Sequence, residues 1–425
     1  MPEGATAARL AAALGTALCA PESPWRLRAW DGSEAGPVDA PLLTVRSPRA
    51  VQRLVWAPGE LGLVRAYVAG EIDIEGDVFR TLQVLDTLGR LSSEGAFRRP
   101  GAREWLELAR SAAALGAVGR PPPPPPEEFR RRRGRRHTLR RDSDAVTHHY
   151  DVSNDFYEMV LGPTLVYSCA VWTDEGTGLD DAQRAKLDLV CRKLDLRPGM
   201  RLLDVGCGWG SLALHAARRY GVDVVGITLS AEQAALARRR ATADGLDDRV
   251  EIRVQDYREV TDGPFDAISS IGMAEHVGRA GLPGYAARLH DLLRPGGRLL
   301  NHAISWTAPA ARWDGDSFIA RYVFPDGEVL PLAATFGALG DAGFELLDVE
   351  ALRRHYALTL RAWVERLEKH WDAAVELTSE GRARVWRLYM AASALSFEHG
   401  KLGIEQVLVR RPGREPAPLR LREWL

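Results

Sequence analysis

The chain has 425 residues, with 56 Lys+Arg against 57 Asp+Glu and a formal charge of −1. That length is about twice a usual domain and predicts two folded units, while the near-neutral balance argues against a protein that holds nucleic acid by bulk electrostatics. Four cysteines (Cys19, Cys169, Cys191, Cys207) without a C-x-x-C pair suit neither a disulfide scaffold nor a paired-cysteine metal site, and they fit a reducing cytoplasm.

Residues 5–20, ATAARLAAALGTALCA, read as an amphipathic first helix. Glu3 and Arg9 interrupt what a secretory leader would need, a basic start followed by a clean apolar run. No stretch approaches the roughly 18 consecutive apolar residues of a membrane span, so any membrane contact is expected to be peripheral.

REWLELARSAAALGAV predicts a further helix, with Trp105, Leu106, Ala109, Ala112 and Ala113 recurring at helical spacing. Residues 1–120 are therefore expected to form a small mixed or helical domain. Pro121 to Pro126 predict an extended spacer, at about 3.1 Å per residue. Arg130–Arg133, Arg135, Arg136, Arg140 and Arg141 follow at once, and such a charge run belongs in solvent. Residues 121–141 are thus expected to link the first domain to a second at 142–425.

After residue 195 apolar strands alternate with helical segments: RLLDVG, DVVGIT, RVEIRV, FDAISSI, GRLLNHAI and FELLDV. That alternation predicts an α/β fold with a mainly parallel, doubly wound sheet. The helix after the second strand carries its own start and stop, a capping-box pair at Ser230 and Gln233 and a left-handed Gly245.

LLDVGCGWGS places Asp204, Gly206, Gly208 and Gly210 at a strand-to-helix turn, where missing side chains let a ligand approach backbone N–H groups. A glycine-rich turn alone suits a dinucleotide equally well. The dinucleotide fingerprint is G-x-G-x-x-G with an acid about 20 residues on. Here the run is G-C-G-W-G and the next strand ends in Thr228, so the dehydrogenase reading fails. D-V-G-C-G-W-G is similar to motif I of class I S-adenosylmethionine methyltransferases, in which Asp256 would contact the adenine. Read by itself, Asp256 is also an ordinary loop acid after a strand.

HHYDVSNDFYEMVLGPTLVYSCAVW, just before the first of these strands, resembles the cyclopropane-fatty-acyl-phospholipid synthases and their mycolic acid relatives. So do SSIGMAEHVG (269–278), NHAI (301–304), FIARYVFPDGEVLP (318–331) and HYALTLRAW (355–363), and more weakly LGLVRAYVAGEIDIEGDVF (61–79). The resemblance spans about residues 142–411. It implies a Rossmann-like, seven-stranded class I methyltransferase domain preceded by a smaller, lipid-associated N-terminal domain.

It further implies a bicarbonate ion as catalytic base, held by backbone groups of Cys169 and Ile304 and by the side chains of Glu275, His302 and Tyr356. For S-adenosylmethionine it implicates Tyr150, Tyr167, Ser168, Gly206, Gly208, Thr228, Leu229, Gln233 and Asp256. The chemistry explains the need for such a base. An alkene is a weak nucleophile that attacks only a sulfonium-activated methyl, and the resulting carbocation closes to a cyclopropane only if the new methyl loses a proton away from water.

In isolation His302 reads as a core histidine, Glu275 as a helix-start acid favoured by the dipole, and Cys169 as a packing thiol. Ala274 departs from the larger residue, such as Phe, that family members often carry. The expected partners are an unsaturated phospholipid and an anionic membrane surface met by the arginine run and Trp105, with a homodimer as the family's frequent state. A solvated linker is the competing reading of the arginines. The rival product is a methylene-branched chain, which a partner reductase would saturate. More distant readings are a small-molecule N-methyltransferase and a non-catalytic lipid-binding protein.

Overall fold

A computed structural model describes residues 5–18, 25–57, 59–84, 102–129, 153–174, 176–308 and 317–417. Tyr150, Cys19 and the arginine run Arg130–Arg141 lie outside the described residues. Contacts divide the chain into two units: Met1–Arg130 with Gly315–Val323 and Trp371–Leu395, and Arg131–Asp314 with Phe324–His370 and Ser396–Leu425. The contacts therefore give the first unit two segments that the sequence placed within 142–425.

The first unit is mixed. Helix α1 (Ala5–Leu18) buries Ala7 and Leu10 against Trp25 and Leu27. Strands β1 (Arg26–Arg28), β2 (Glu34–Ala35), β3 (Leu42–Val45) and β4 (Ile72–Glu75) form a sheet in the order β2-β1-β3-β4. Helices α2 (Pro48–Trp56) and α3 (Glu60–Val68) lie between β3 and β4 in the chain, and α2 starts with a proline where a missing N–H costs nothing.

Helix α4 (Ala102–Ala114) forms as expected, but Leu106 is half exposed, Ala109 and Ala113 are exposed, and burial falls on Ala112, Leu115 and Ala117. The prolines join this unit instead of standing off as a spacer: Pro125 is buried, and the buried Arg53 donates to the Pro123 carbonyl at 2.8 Å and to Glu71 at 2.7 Å. Segment 371–395 is held by charge. Its buried Arg384 lies 3.2 Å from Asp73, and Arg387 donates to the Tyr67 hydroxyl at 3.3 Å. Burying a guanidinium demands such partners, and a reading by apolar periodicity does not detect them.

The second unit holds α5 (Asn154–Leu161), α6 (Leu179–Lys193), β5 (Arg201–Val205), α7 (Ser211–Tyr220), β6 (Asp223–Thr228), α8 (Ala231–Ala243), β7 (Val250–Val254), β8 (Phe265–Ile271), α9 (Ala274–Leu292) and β9 (Leu293–Trp306). Short helix α10 (Phe318–Tyr322) belongs to the first unit. Then come β10 (Leu330–Pro331), α11 (Leu332–Asp341), β11 (Glu345–Ala351) and α12 (Arg353–Lys369) of the second unit, α13 (Trp371–Leu377) and α14 (Glu380–Glu398), which belong to the first unit as far as Leu395, and β12 (Leu402–Arg410) of the second.

The sheet order is β11-β12-β9-β8-β5-β6-β7, with β10 beside β9. All six expected strands are present. The pairings among β5 to β9 are parallel, whereas β12 runs antiparallel between β9 and β11. Neighbouring residues face opposite layers. Leu202 packs with Leu187, Val190 and Ala213 under α6 to α8, and Leu203 packs with Tyr285, Leu289 and Leu339 under α9 and α11. Burial on both faces explains the continuous apolar runs.

Candidate active site

The turn after β5 needs glycine. Gly206, Gly208 and Gly210 all have positive φ. A Cβ on Gly206 would come 2.6 Å from Met273 Sδ, whereas one on Gly208 would meet nothing within 4 Å, which leaves the backbone there open to a ligand. The Gly206 and Cys207 N–H groups donate to the Ile227 carbonyl, fixing the turn against the end of β6.

Around this turn the buried polar groups are paired. Asp204 accepts from Ser269 Oγ at 2.7 Å; burial raises its carboxyl to about 6, against the lowering pull of Ser269 and Lys186. Ser230 caps α8 by accepting the Gln233 N–H, and Gly245 takes the left-handed conformation after it. The capping box does not close in the expected way. Gln233 Oε1 accepts from Thr228 Oγ1 at 2.8 Å, and Thr228 Oγ1 in turn accepts the Ser230 N–H, so these side chains stiffen the mouth of the turn beside the half-buried Leu229. Asp256 is only 6% exposed, so it is no ordinary surface acid; both its oxygens bind Arg258.

The segment before β5 is tied to the same place. Ser153 caps α5, and Asn154 Oδ1 accepts from Trp209 Nε1 at 2.8 Å, with the Tyr157 ring 4.7 Å from that indole. Tyr167 lies between Tyr157 and Trp363, with ring centroids at 5.8 and 5.4 Å. Thr359 and His355 of α12 accept the Ala170 and Trp172 N–H groups, which holds the strip 169–172 on that helix.

The five residues implied for the anion are linked through this framework. Cys169 Sγ lies 3.7 Å from the Leu352 carbonyl, the Leu352 N–H donates to Ile304, and the Ile304 N–H donates to Glu275 Oε1 at 2.7 Å. The Ile304 N–H is thus already engaged by Glu275. His302 lies two residues earlier on β9, its carbonyl accepting the Gly272 N–H ahead of α9. Tyr356, in the first turns of α12, packs its ring 4.8 Å from Phe397. Burial pushes the Cys169 thiol well up, which disfavours a thiolate. Ala274, beside Glu275, is buried.

Here, unlike at the turn, polar atoms stay unpaired. Glu275 Oε2 and both ring nitrogens of His302 are buried with no hydrogen-bond partner among the described residues. Burial raises the Glu275 carboxyl to about 7, and burial, reinforced by Lys186 and Lys193, holds His302 down to about 3. His302 is therefore a neutral imidazole with one N–H and one lone pair. Such atoms suit a small oxyanion carrying a hydroxyl.

Two residues that the sequence reading passed over belong to this region. Lys186 of α6 is 2% exposed, its ammonium lowered to about 8 by burial, and it donates to Ser168 Oγ at 3.0 Å. Gln406 of β12 pairs in register with His302 and is fully buried. The polar pair Glu405–Gln406 inside the mainly apolar run LGIEQVLVR was the available signal. Among the described residues no His, Cys, Asp or Glu cluster is placed to hold a metal, and no helix is long and apolar enough to cross a membrane.

Comparison with known proteins agrees with this arrangement. Residues 137–407 match the family model of mycolic acid cyclopropane synthetases. The chain is 43% identical to a probable fatty acid methyltransferase of Mycobacterium tuberculosis, over 95% of both proteins. It is 40% identical to the cyclopropane-fatty-acyl-phospholipid synthase of Escherichia coli, covering 62% of this chain and 66% of that one. The solved structure of the mycolic acid cyclopropane synthase CmaA1, complexed with SAH and CTAB, superposes with a TM-score of 0.60 at 32% identity, over 63% of this chain and 98% of that one. With its glycine turn, mainly parallel eight-stranded sheet and matched length, the chain belongs to the mycolic acid cyclopropane synthetase family and is an S-adenosylmethionine-dependent methyltransferase.

Proposed function

We propose that this enzyme transfers a one-carbon unit to the cis double bond of an unsaturated acyl chain on a phospholipid and closes it to a cyclopropane, with bicarbonate as base. The observation that carries this reading is the set of buried, unpaired atoms on Glu275 and His302 next to the cofactor turn. A methyltransferase acting on an amine or hydroxyl has no need of a water-excluded base for a methyl proton; an alkene substrate does.

S-adenosylmethionine, when bound, supplies an electrophilic methyl on sulfonium, and bicarbonate supplies a weak base. The backbone at Gly206, Gly208 and Gly210, with Asp204, Tyr167, Ser168, Thr228, Leu229, Gln233 and Asp256, would hold the cofactor. Glu275, in its ionised form, would accept the hydroxyl of the anion, and neutral His302 would donate its N–H. Tyr356 would donate from its hydroxyl, and Cys169 and Ile304 would contribute backbone groups. For Ile304 this requires its N–H to be shared between Glu275 and the anion. Residues 1–120 and the arginine run would supply peripheral attachment to anionic membrane.

Methylation to a methylene-branched chain is the second reading. It is favoured by the relative that matches 95% of this chain, which is named a fatty acid methyltransferase. Mass spectrometry of oleoyl phospholipid incubated with the purified enzyme and labelled cofactor separates the two: a ring supports the first reading, an exocyclic methylene the second.

A further inference from the structure

Gln406 sits at the middle of β12, 0% exposed, and neither its amide nitrogen nor its amide oxygen has a hydrogen-bond partner among the described residues. Leaving a buried polar group unpaired costs about 1–3 kcal/mol, and an apolar residue of the same shape would remove that cost. Here the amide stands next to Glu405 in a wholly buried strand that is apolar apart from these two residues and the terminal Arg410. A stability argument alone therefore gives no reason for glutamine at this position.

Its neighbour supplies the reason. Gln406 is the register partner of His302 across the antiparallel β9–β12 pair, which puts the two side chains on the same face of the sheet with their Cβ atoms roughly 5 Å apart. Leu300 and Leu408, two residues along each strand, fix which face this is: both join the cluster of Leu187 and Val190 beneath α6. The same face carries Asp204 and Ser269, and from α6 the Lys186 ammonium bears on His302.

His302 and Gln406 do not satisfy each other, although a ring N–H and an amide oxygen could pair directly. Four unpaired atoms on one register pair of the two strands point to a shared missing partner. That partner is small, because both side chains are buried, and it accepts hydrogen bonds, because the amide offers two N–H groups and the neutral imidazole one. A neutral His302 and Tyr356 each donate only once and the Ile304 N–H is already engaged by Glu275, so a planar oxyanion with several lone pairs has room for a further donor. We propose that Gln406 is a ligand of the catalytic anion, donating its amide N–H to one oxygen while the anion's single hydroxyl stays with Glu275. This rests on the bicarbonate reading of the site, and it adds to that reading the residue that orients the ion across from His302.

The test uses Gln406→Met, which keeps the length and removes the amide, and Gln406→Glu, which keeps the shape and adds negative charge. Each is titrated with sodium bicarbonate at fixed ionic strength. Removing one hydrogen bond to a charged group predicts a half-saturating bicarbonate concentration for turnover raised about tenfold in Gln406→Met, and further in Gln406→Glu. Without bicarbonate Gln406→Met should melt no lower than the wild type and bind S-adenosylhomocysteine within about twofold by calorimetry, because it loses only an unpaired group. Added bicarbonate should raise the wild-type melting temperature, and about tenfold more of it should be needed for the same rise in Gln406→Met. An unaltered bicarbonate response in Gln406→Met would overturn the proposal, as would a large fall in melting temperature or cofactor affinity without bicarbonate, the mark of a packing residue. A wild type indifferent to bicarbonate would instead remove the anion reading beneath it.

Discussion

Two regions of the same unit treat their buried polar groups in opposite ways. At the cofactor turn Asp204 is met by Ser269, Thr228 by Gln233, Ser230 by Gln233 and Asp256 by Arg258. At the end of β8 and along β9 and β12, Glu275 Oε2, His302 and Gln406 keep unpaired atoms. The first region is rigid before its ligand arrives. The second holds an unmet desolvation cost that a small ligand would relieve, which is how a fold tolerates groups whose purpose is chemistry.

The sharpest way to break this comparison is to remove the unpaired groups one at a time. Glu275→Gln and His302→Ala, which remove groups that hold the base, should each lower turnover by up to about 10²–10⁴-fold, the usual contribution of general-base catalysis, while calorimetry finds cofactor affinity little changed. Near-normal turnover in both would end the distinction.

A second effect is thermodynamic and carries a sign. The raised Glu275 carboxyl means that the folded state favours its protonated form, so its contribution is fully present below about 4.5 and is lost as the pH rises through about 7. Glu275→Gln is neutral throughout and should therefore melt higher than the wild type at pH 8 to 9 and converge with it in acid. The span between those two pKa values corresponds to at most on the order of 3 kcal/mol. A variant less stable than wild type at alkaline pH would contradict the unmet cost at this carboxylate.

The contrast predicts a smaller and different effect at the turn. Gly206→Ala imposes a positive φ on alanine and presses on Met273, so it should weaken S-adenosylhomocysteine binding by about tenfold, from roughly 1–3 kcal/mol of strain. Its bicarbonate half-saturation should stay unchanged. Coupled losses at both ligands would mean that the two regions are not separable.

The comparison also explains what was legible in the sequence. The turn was readable because its demands are local: three glycines at fixed spacing, a strand before and a helix after. Six strands were readable because both faces are apolar. Glu275, His302, Tyr356 and Cys169 carried no local signal and came from resemblance; only the fold joins them, through Leu352 and Ile304. Gln406 and Lys186 were passed over because neither forms a motif: Gln406 follows Glu405 within a mainly apolar strand, and Lys186 is one of several charges on its helix. Segment 371–395, which the contacts group with the first unit, gives no such signal for a related reason: its buried face carries Arg384 and Arg387 as well as apolar residues.

The account turns on removal of a proton from the newly transferred methyl group by a base held in the second region. Purified enzyme supplied with oleoyl phospholipid and a trideuteriomethyl cofactor tests this directly. The account predicts an acyl product that keeps two of the three deuterons, formed at a rate that falls when bicarbonate is stripped and recovers when it is restored. A product that keeps all three, or a rate indifferent to bicarbonate, would contradict it.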